Sequence, residues 1–276
     1  MRLTRVLDQE DHAAVVRILA QDPVRHCFVS SRLGSDLLHP GGLSQLWGFP
    51  ADDPYALLHV GTNLVPINVD APAREAFVED LGRWRTFTAI LGSSSEVLPL
   101  WRALVDRWGG RYGPTRVVRP RQLLMARSDP SPVAVHPDFA FASFEHFDSY
   151  FAAAVAMYTE ELLEDPTRTN PVGYRGYVRS LVSARRAFAI VAEDEVVFKA
   201  DLGAVSDDVA QVQGVWVHPD RRGQGLGAQG TAGVTNAIVA TGRTASLYVN
   251  DFNAPAIATY RRCGYAEVGI FSSILY

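Results

Sequence analysis

The residues with the most chemical promise run Val215-Trp-Val-His-Pro-Asp-Arg-Arg-Gly-Gln-Gly-Leu-Gly227. The apolar start reads as the end of a strand, the stretch from Leu226 to Ala240 reads as a helix, and the loop between them places glycine at 223, 225 and 227. Alternate glycines leave successive backbone N–H groups without Cβ shielding, so the amides can converge on an anion at the N-terminus of the following helix. Arg221 and Arg222 add permanent positive charge and paired donors. The chemistry this pattern fits is the binding of a pyrophosphate.

Gly225-Leu-Gly227-Ala-Gln-Gly230 also matches G-x-G-x-x-G, with Asp251 about 20 residues further on. A dinucleotide fold is nevertheless not expected. The preceding strand is the third of a run joined by short turns, whereas the dinucleotide fingerprint opens a parallel sheet. His218–Arg222 intervene before the first glycine, and only 46 residues follow Gly230. No G-K-[ST] follows the loop, which excludes a triphosphate P-loop.

Composition narrows the remaining chemistry. Of 276 residues, 47% are hydrophobic and 20% charged, as in an ordinary globular chain. The formal net charge of −4 is not that of a nucleic-acid polycation. Residues 1–130 carry fifteen Arg against fourteen acids, and residues 131–276 carry eleven bases against sixteen acids. Lys199 is the only lysine, so Lys-dependent chemistry has no residue elsewhere. Cys27 and Cys263 form neither a disulfide framework nor a zinc set, so no metal is expected, and free thiols suit a reducing cytoplasm. No run of 18 apolar residues exists and the N-terminal stretch turns acidic early; no membrane span and no signal peptide are expected. Arg111, Arg116, Arg119, Arg121 and Arg127 form a basic stretch, read as surface pairing or pairing with the acidic second half rather than nucleic-acid contact.

The elements that position the loop follow from periodicity and punctuation. In the first half, residues 11–20, 74–84 and 98–108 read as helices; 57–60, 64–68, 88–91 and 122–126 read as strands. Phe77, Val78, Leu81 and Trp84 would form one helical stripe. Ser128-Asp-Pro-Ser-Pro132 and His136-Pro137 mark a linker, which sets a boundary near residue 130. In the second half, helices are expected at 147–163 and 174–183, then an antiparallel meander of 187–192, 196–205 and 209–217. The glycine loop, a helix at 226–240, a strand at 245–249, a helix at 254–262 and a strand region at 265–274 complete the chain. Lys199 and Asp201, two apart on a strand, read as a structural ion pair.

Two motifs in this order resemble the GNAT acetyltransferase superfamily. The first is Arg222, Gly225 and Gly227 in the pattern Gln/Arg-x-x-Gly-x-Gly/Ala, the family's coenzyme A signature. The second is Leu247-Tyr-Val-Asn250, Asn253, Ala256 and Tyr260-Arg-Arg-Cys-Gly264-Tyr265. The likeness covers about residues 140–276. It implies an α/β (α+β) GNAT fold, a mixed and mostly antiparallel sheet flanked by helices, at residues 131–276. Residues 1–130 resemble more weakly the degenerate GNAT-like lobes that precede such domains in two-lobed members.

The resemblance also implies roles. Val215, Trp216 and Val217 would pair through their backbone with the pantetheine of acetyl-CoA. The amides from Arg222 through Gly223, Gln224, Gly225, Leu226 and Gly227 to Ala228 would hold the pyrophosphate. Asn253 would reach the pantetheine or cap its helix, before Ala254-Pro255. Tyr260 would act as acid toward the departing sulfur. The family often carries a glutamate base where Gln211 or Tyr248 stands here, and neither accepts a proton at pH 7. Glu160 and Glu161 are the candidate bases; a solvated acidic helix end, continued by Glu164 and Asp165, is the plainer reading. The activity so implied is transfer of an acetyl group from acetyl-CoA to a primary amine, on a small molecule, peptide or protein lysine, in the cytoplasm. The alternative is an inert acyl-CoA-binding regulator.

Overall fold

The structure, a computed structural model, describes residues 3–34, 36–39 and 41–276. The chain forms two compact units: one takes residues up to Leu124 with Tyr248–Phe252 and Glu267–Tyr276, the other Met125–Leu247 with Asn253–Ala266. The division is therefore not the contiguous 1–130 and 131–276 that the linker composition suggests. The physical reason is the C-terminal strand, which pairs inside the first unit.

The first unit runs β1 (Arg5–Val6), α1 (His12–Leu19), α2 (Pro23–Ser30), β2 (Gln45–Phe49), β3 (Ala56–Val60), β4 (Asn63–Ile67), α3 (Ala71–Leu81), β5 (Ala89–Ser93), α4 (Ser94–Trp108) and β6 (Val117–Arg127), whose last residues enter the second unit. The second unit runs β7 (Phe139–Phe141), α5 (Phe147–Leu162), α6 (Pro166–Thr169), α7 (Pro171–Ser183), β8 (Ala187–Ala192), β9 (Glu195–Val205), β10 (Val209–Val217), α8 (Leu226–Val239), β11 (Thr244–Asn250) and α9 (Ala254–Arg262). The last strand, β12 (Ala266–Leu275), lies antiparallel to β5, from Phe271 opposite Ser93 to Leu275 opposite Ala89.

Within the first unit the strand order is β1-β2-β3-β4-β5-β12-β6. From β1 to β12 along this order the neighbours are antiparallel except β4 and β5, which run parallel over two pairs, Asn63 with Ala89 and Leu64 with Ile90. Only Asn68–Asp70 separate β4 from α3. Asp70 caps α3 by accepting from Ala73 N–H at 3.0 Å, and Glu96 of α4 accepts from Val69 N–H at 3.1 Å. The core on the α3–α4 side holds Phe77, Phe87, Leu100, Leu104 and Tyr112; the other gathers Val15, Ile18, Leu46 and Leu57. Burying each such large apolar side chain contributes roughly 1.5–3 kcal/mol. Trp84, expected on the stripe of α3, lies past its end and is 57% exposed. Gly82, at φ +66°, ends the helix first.

The second unit repeats the pattern. Strands β7 to β10 form an antiparallel run in order, and β11 joins β10 in parallel over Val209–Gln211 and Thr244–Ser246. Helix α5 packs on β9 and β10, burying Phe147, Tyr150, Ala153 and Ala154 with Val178 and Val182 of α7 and Trp216 of β10. Helix α8 also packs on β9 and β10 and approaches closely: a Cβ at Gly230 would stand 2.5 Å from the Phe198 ring. Gly230 is thus a packing residue.

Candidate functional site

The site assembles around the end of β10. Two irregularities shape this strand. Gln213 lies opposite Asp201 and Trp216 opposite Lys199, so three steps on β10 face two on β9. The extra residue is a β-bulge, and it centres on Gly214 at φ +59°, the left-handed conformation that a bulge of this kind assigns to glycine. Nearer the start, Gln211 and Val212 face Ala204 and Leu202, and the Gln213 side chain lies across Gly203. Pairing between β10 and β11 stops at Gln211 and Ser246, before the bulge.

The loop after β10 folds as the glycines require. His218 accepts from Asp220 N–H at 3.3 Å and caps a single 3-10 turn, Pro219–Arg221. Gly223 and Gly225 adopt φ +74° and +86°, with no atom within 4 Å of where a Cβ would stand. They are glycine for backbone conformation, and the space beside them is open. Gly225 then starts α8. Arg222 N–H is bonded to Pro219 O at 3.2 Å and Ala228 N–H to Gly225 O at 3.0 Å. Between them, the amides of Gly223, Gln224, Gly225, Leu226 and Gly227 have no acceptor among the described residues. The donor set expected from 222 to 228 is therefore narrower by one residue at each end. It remains a run of unshared N–H groups at the N-terminus of a fourteen-residue helix, where the helix dipole favours an anion.

The two glutamates expected as bases diverge. Glu160 receives Arg222 Nη2 at 2.9 and 2.8 Å on its two oxygens and Trp216 Nε1 at 3.1 Å, and Arg222 Nε also donates to Val217 O at 3.1 Å. A carboxylate that accepts three hydrogen bonds from two donor groups is a clamp between α5, β10 and the loop rather than a free base. Glu161, exposed on the next position of α5, is close enough for its negative charge to raise the hydroxyl pKa of both Tyr260 and Tyr174. Burial is the largest cause in both, followed for Tyr174 by the charge of Asp201, and these effects keep both phenols protonated. Asp165 turns inward instead: it caps α6 through Thr167, which holds its carboxyl below the usual range.

Tyr260 is 8% exposed, on α9, with its ring 6.1 Å from that of Tyr265. Its hydroxyl has no hydrogen-bond partner among the described residues, unlike Tyr265, whose hydroxyl meets Thr235 Oγ1 at 2.9 Å. Asn253 accepts from Ala256 N–H at 3.2 Å and caps α9, with Pro255 in the first turn. Of the two positions where a strand glutamate was sought, Gln211 is buried and Tyr248 belongs to the first unit, beside Phe271.

Periodicity alone singles out neither one further cluster nor the place of the bulge. Tyr158, Tyr174 and Tyr177 cluster where α5 meets α7, with ring centroids 5.3 and 6.3 Å apart, and Gln213 donates to the Tyr177 hydroxyl at 2.7 Å. Lys199 and Asp201 are the expected ion pair, but they lie directly under the Gly214 bulge. A lone glycine inside a strand pattern is the signal that could have located it.

Comparison with known families agrees with this geometry. Residues 197–271, which span β10, the loop and α9, match the FR47-like protein family, and residues 44–150 match a domain of unknown function (DUF4081). No curated protein matches the chain. Among solved structures, a Drosophila structural-genomics target is 13% identical with a TM-score of 0.69, covering 100% of this chain and 99% of its own. A GNAT-family acetyltransferase from Colwellia psychrerythraea is 12% identical with a TM-score of 0.58, over 99% of both chains. A tandem GNAT protein from the clavulanic acid biosynthesis pathway is 13% identical with a TM-score of 0.56, over 98% of both. The chain therefore shares the fold of these structures along its length, and the FR47-like segment carries the glycine loop.

Proposed function

We propose that the second unit is an acyl-CoA-dependent N-acetyltransferase that passes an acetyl group from acetyl-CoA to a primary amine. One observation carries this reading: the unshared amides of Gly223–Gly227 follow directly on a strand whose pairing with β11 has ended. The amides and Arg221 suit a pyrophosphate. The free edge at Val215–Val217 suits the amide-bearing pantetheine arm, which would add to it like a short strand. Asn253 serves through the first turn of α9.

The acetyl transfer then needs two proton movements. A neutral amine nitrogen attacks the thioester carbonyl carbon, the N–C bond forms and the C–S bond breaks. The amine proton passes to Glu161, and Tyr260 donates to the departing sulfur. Glu160 holds the loop instead of taking part. Tyr158, Tyr174 and Tyr177 beside Glu161 form an aromatic and anionic wall, which suits an acceptor carrying positive charge. In the first unit the corresponding turn is short and its amides are already used by Glu96 and Asp70, which supports a degenerate GNAT-like lobe with no acyl-CoA of its own.

Free-thiol release from acetyl-CoA, measured against a panel of amines and peptides, tests the reading. Amine-dependent release is expected. The second reading, a regulator that binds acyl-CoA without turnover, is favoured by one observation: Gln211 and Gln213 occupy strand positions where a carboxylate base would serve. Tight acetyl-CoA binding with no thiol release from any acceptor would select it.

A further inference from the structure

The only lysine of the chain is buried at 0% exposure in the middle of β9, where an ammonium is costly unless its protons are all met. Lys199 Nζ is compensated by an ion pair with Asp201, by donation to Gly214 O at 3.1 Å and by a cation–π contact, 5.4 Å from the centroid of the Tyr150 ring. Asp201, 4% exposed, receives Tyr150 Oη on its other oxygen, and Tyr150 reaches Ala200 O at 3.2 Å. The pair is therefore closed among its own partners and leaves nothing for a ligand. What it touches outside itself is one backbone carbonyl, that of the bulge.

That carbonyl matters because of where the bulge points. The extra residue lies between Gln213 and Trp216, and the segment that follows, Val215–Val217, is the free edge to which the pantetheine arm is assigned. A bulge bends its strand and increases its local twist. Without an inward donor, a Gly214 carbonyl facing the apolar packing of α5 against β9 and β10 would be an unpaired buried acceptor. The strand would relieve this by sliding into regular register, and a one-residue slip turns every following side chain to the other face. Trp216 would then leave the core and Glu160.

We infer that Lys199, fixed by Asp201 and Tyr150, is a positioning residue: it holds the Gly214 bulge and so aims the Val215–Val217 edge at the pantetheine arm of acyl-CoA. The inference rests on the proposed acyl-CoA site. It assigns the buried ion pair to ligand geometry rather than to stability, which suits the small net stabilisation that buried pairs give.

The test is calorimetry with two ligands, acetyl-CoA and ADP, the second carrying a pyrophosphate but no pantetheine arm. Lys199→Met/Asp201→Asn removes the donor to Gly214 without leaving a buried charge unpaired. Gly214→Ala attacks the bulge from the other side, since its Cβ would stand 3.0 Å from Lys199 Nζ and from Asp201 Oδ2. Both variants are expected to lose about tenfold or more in acetyl-CoA affinity while ADP affinity stays within about twofold. The KM for acetyl-CoA should rise more than kcat falls. A folded double variant with wild-type acetyl-CoA affinity overturns the inference, and so does equal weakening of both ligands, which would mean general loosening. If the double variant does not fold, Gly214→Ala decides by the same outcomes. Wild-type protein that binds neither ligand would instead overturn the acyl-CoA site itself.

Discussion

Glu160 and Arg222, 62 residues apart in the chain, meet through two hydrogen bonds of 2.9 and 2.8 Å, so the acidic end of α5 is tied to the glycine loop. Both side chains are about half exposed, and such pairs are worth little, ~0–1 kcal/mol. Because this tie holds the loop, Glu160→Gln should weaken acetyl-CoA binding by about two- to fivefold at low salt, a difference that shrinks as salt screens the pair. Calorimetry at two ionic strengths checks this; tighter binding in the variant would show that Glu160 competes with the pyrophosphate for Arg222 instead of holding the loop.

Glu161 and Glu160 differ by one position on α5 and should differ in kinetics. Glu161→Gln should lower kcat by about 10²–10⁴-fold, while Glu160→Gln leaves it within about threefold. The reverse order of effects would exchange their roles.

Removing the Tyr260 hydroxyl should leave acetyl-CoA affinity nearly unchanged, because the ring still fills its place. Burial and the charge of Glu161 raise the phenol pKa, so it stays protonated at neutral pH but gives up its proton reluctantly. The expected loss in kcat for Tyr260→Phe is about a hundredfold, at the low end of general acid catalysis. A folded Phe variant with wild-type kcat would take Tyr260 out of the mechanism.

Gly225 should not tolerate a side chain. At φ +86° a β-branched residue is strained by about 1–2 kcal/mol, and its bulk would enter the open space beside the unshared amides. Gly225→Val should fold and lose acetyl-CoA binding. Gly227 makes the contrast: a Cβ there would meet Val217 Cγ2 at an ordinary 3.5 Å, so Gly227→Ala should keep its melting temperature, and its binding loss should be smaller. Equal affinity in the Gly225 variant and wild type would refute the loop assignment.

In the first unit, burial raises the Glu96 carboxyl to about 7, against the opposing pull of the Val69 and Asn68 amides and Arg25. A carboxyl whose folded pKa lies above its unfolded value stabilises the fold when protonated. Its contribution is complete below the unfolded pKa, near 4.5, and is lost as pH rises through about 7. Melting temperatures between pH 4.5 and 8 should therefore fall more steeply in wild type than in Glu96→Gln. Parallel curves would show that Glu96 does not titrate there.

The second half was legible because its elements are locally written. The meander turns at Glu193-Asp194 and Ser206-Asp207-Asp208, the cap at Asn253 and the apolar faces of α5 and α8 agree with one another, and the observed strands and helices follow them closely. The first half hid more. Helix α2 begins at Asp22-Pro23, with Asp22 accepting from Arg25 N–H, but its short apolar face gives little periodicity. Helix α4 starts at Ser94 and carries Pro99 in its interior, so the proline misplaced its expected start at Leu98. Motif spacing singles out the loop, Asn253 and Tyr260, which the structure places before α8, at the cap of α9 and on α9. The separation of Glu160 from Glu161 was not legible, since it depends on Arg222 and Trp216 reaching one of two adjacent carboxylates across the fold.

The pairing of β12 with β5 has a consequence for how the chain is made. On a ribosome the N-terminal part of a protein emerges first, and domains tend to fold as they appear. Here the first unit cannot complete its sheet until Phe271–Leu275 have been synthesised, because those residues supply the neighbour of β5. Strand β5 waits as an exposed template while the whole of the second unit is translated, and an unpaired edge of that kind invites foreign strands. Nascent chains stalled before β12 should thus be sensitive to proteases in the first unit and depend on chaperones, and release of the last strand should protect both.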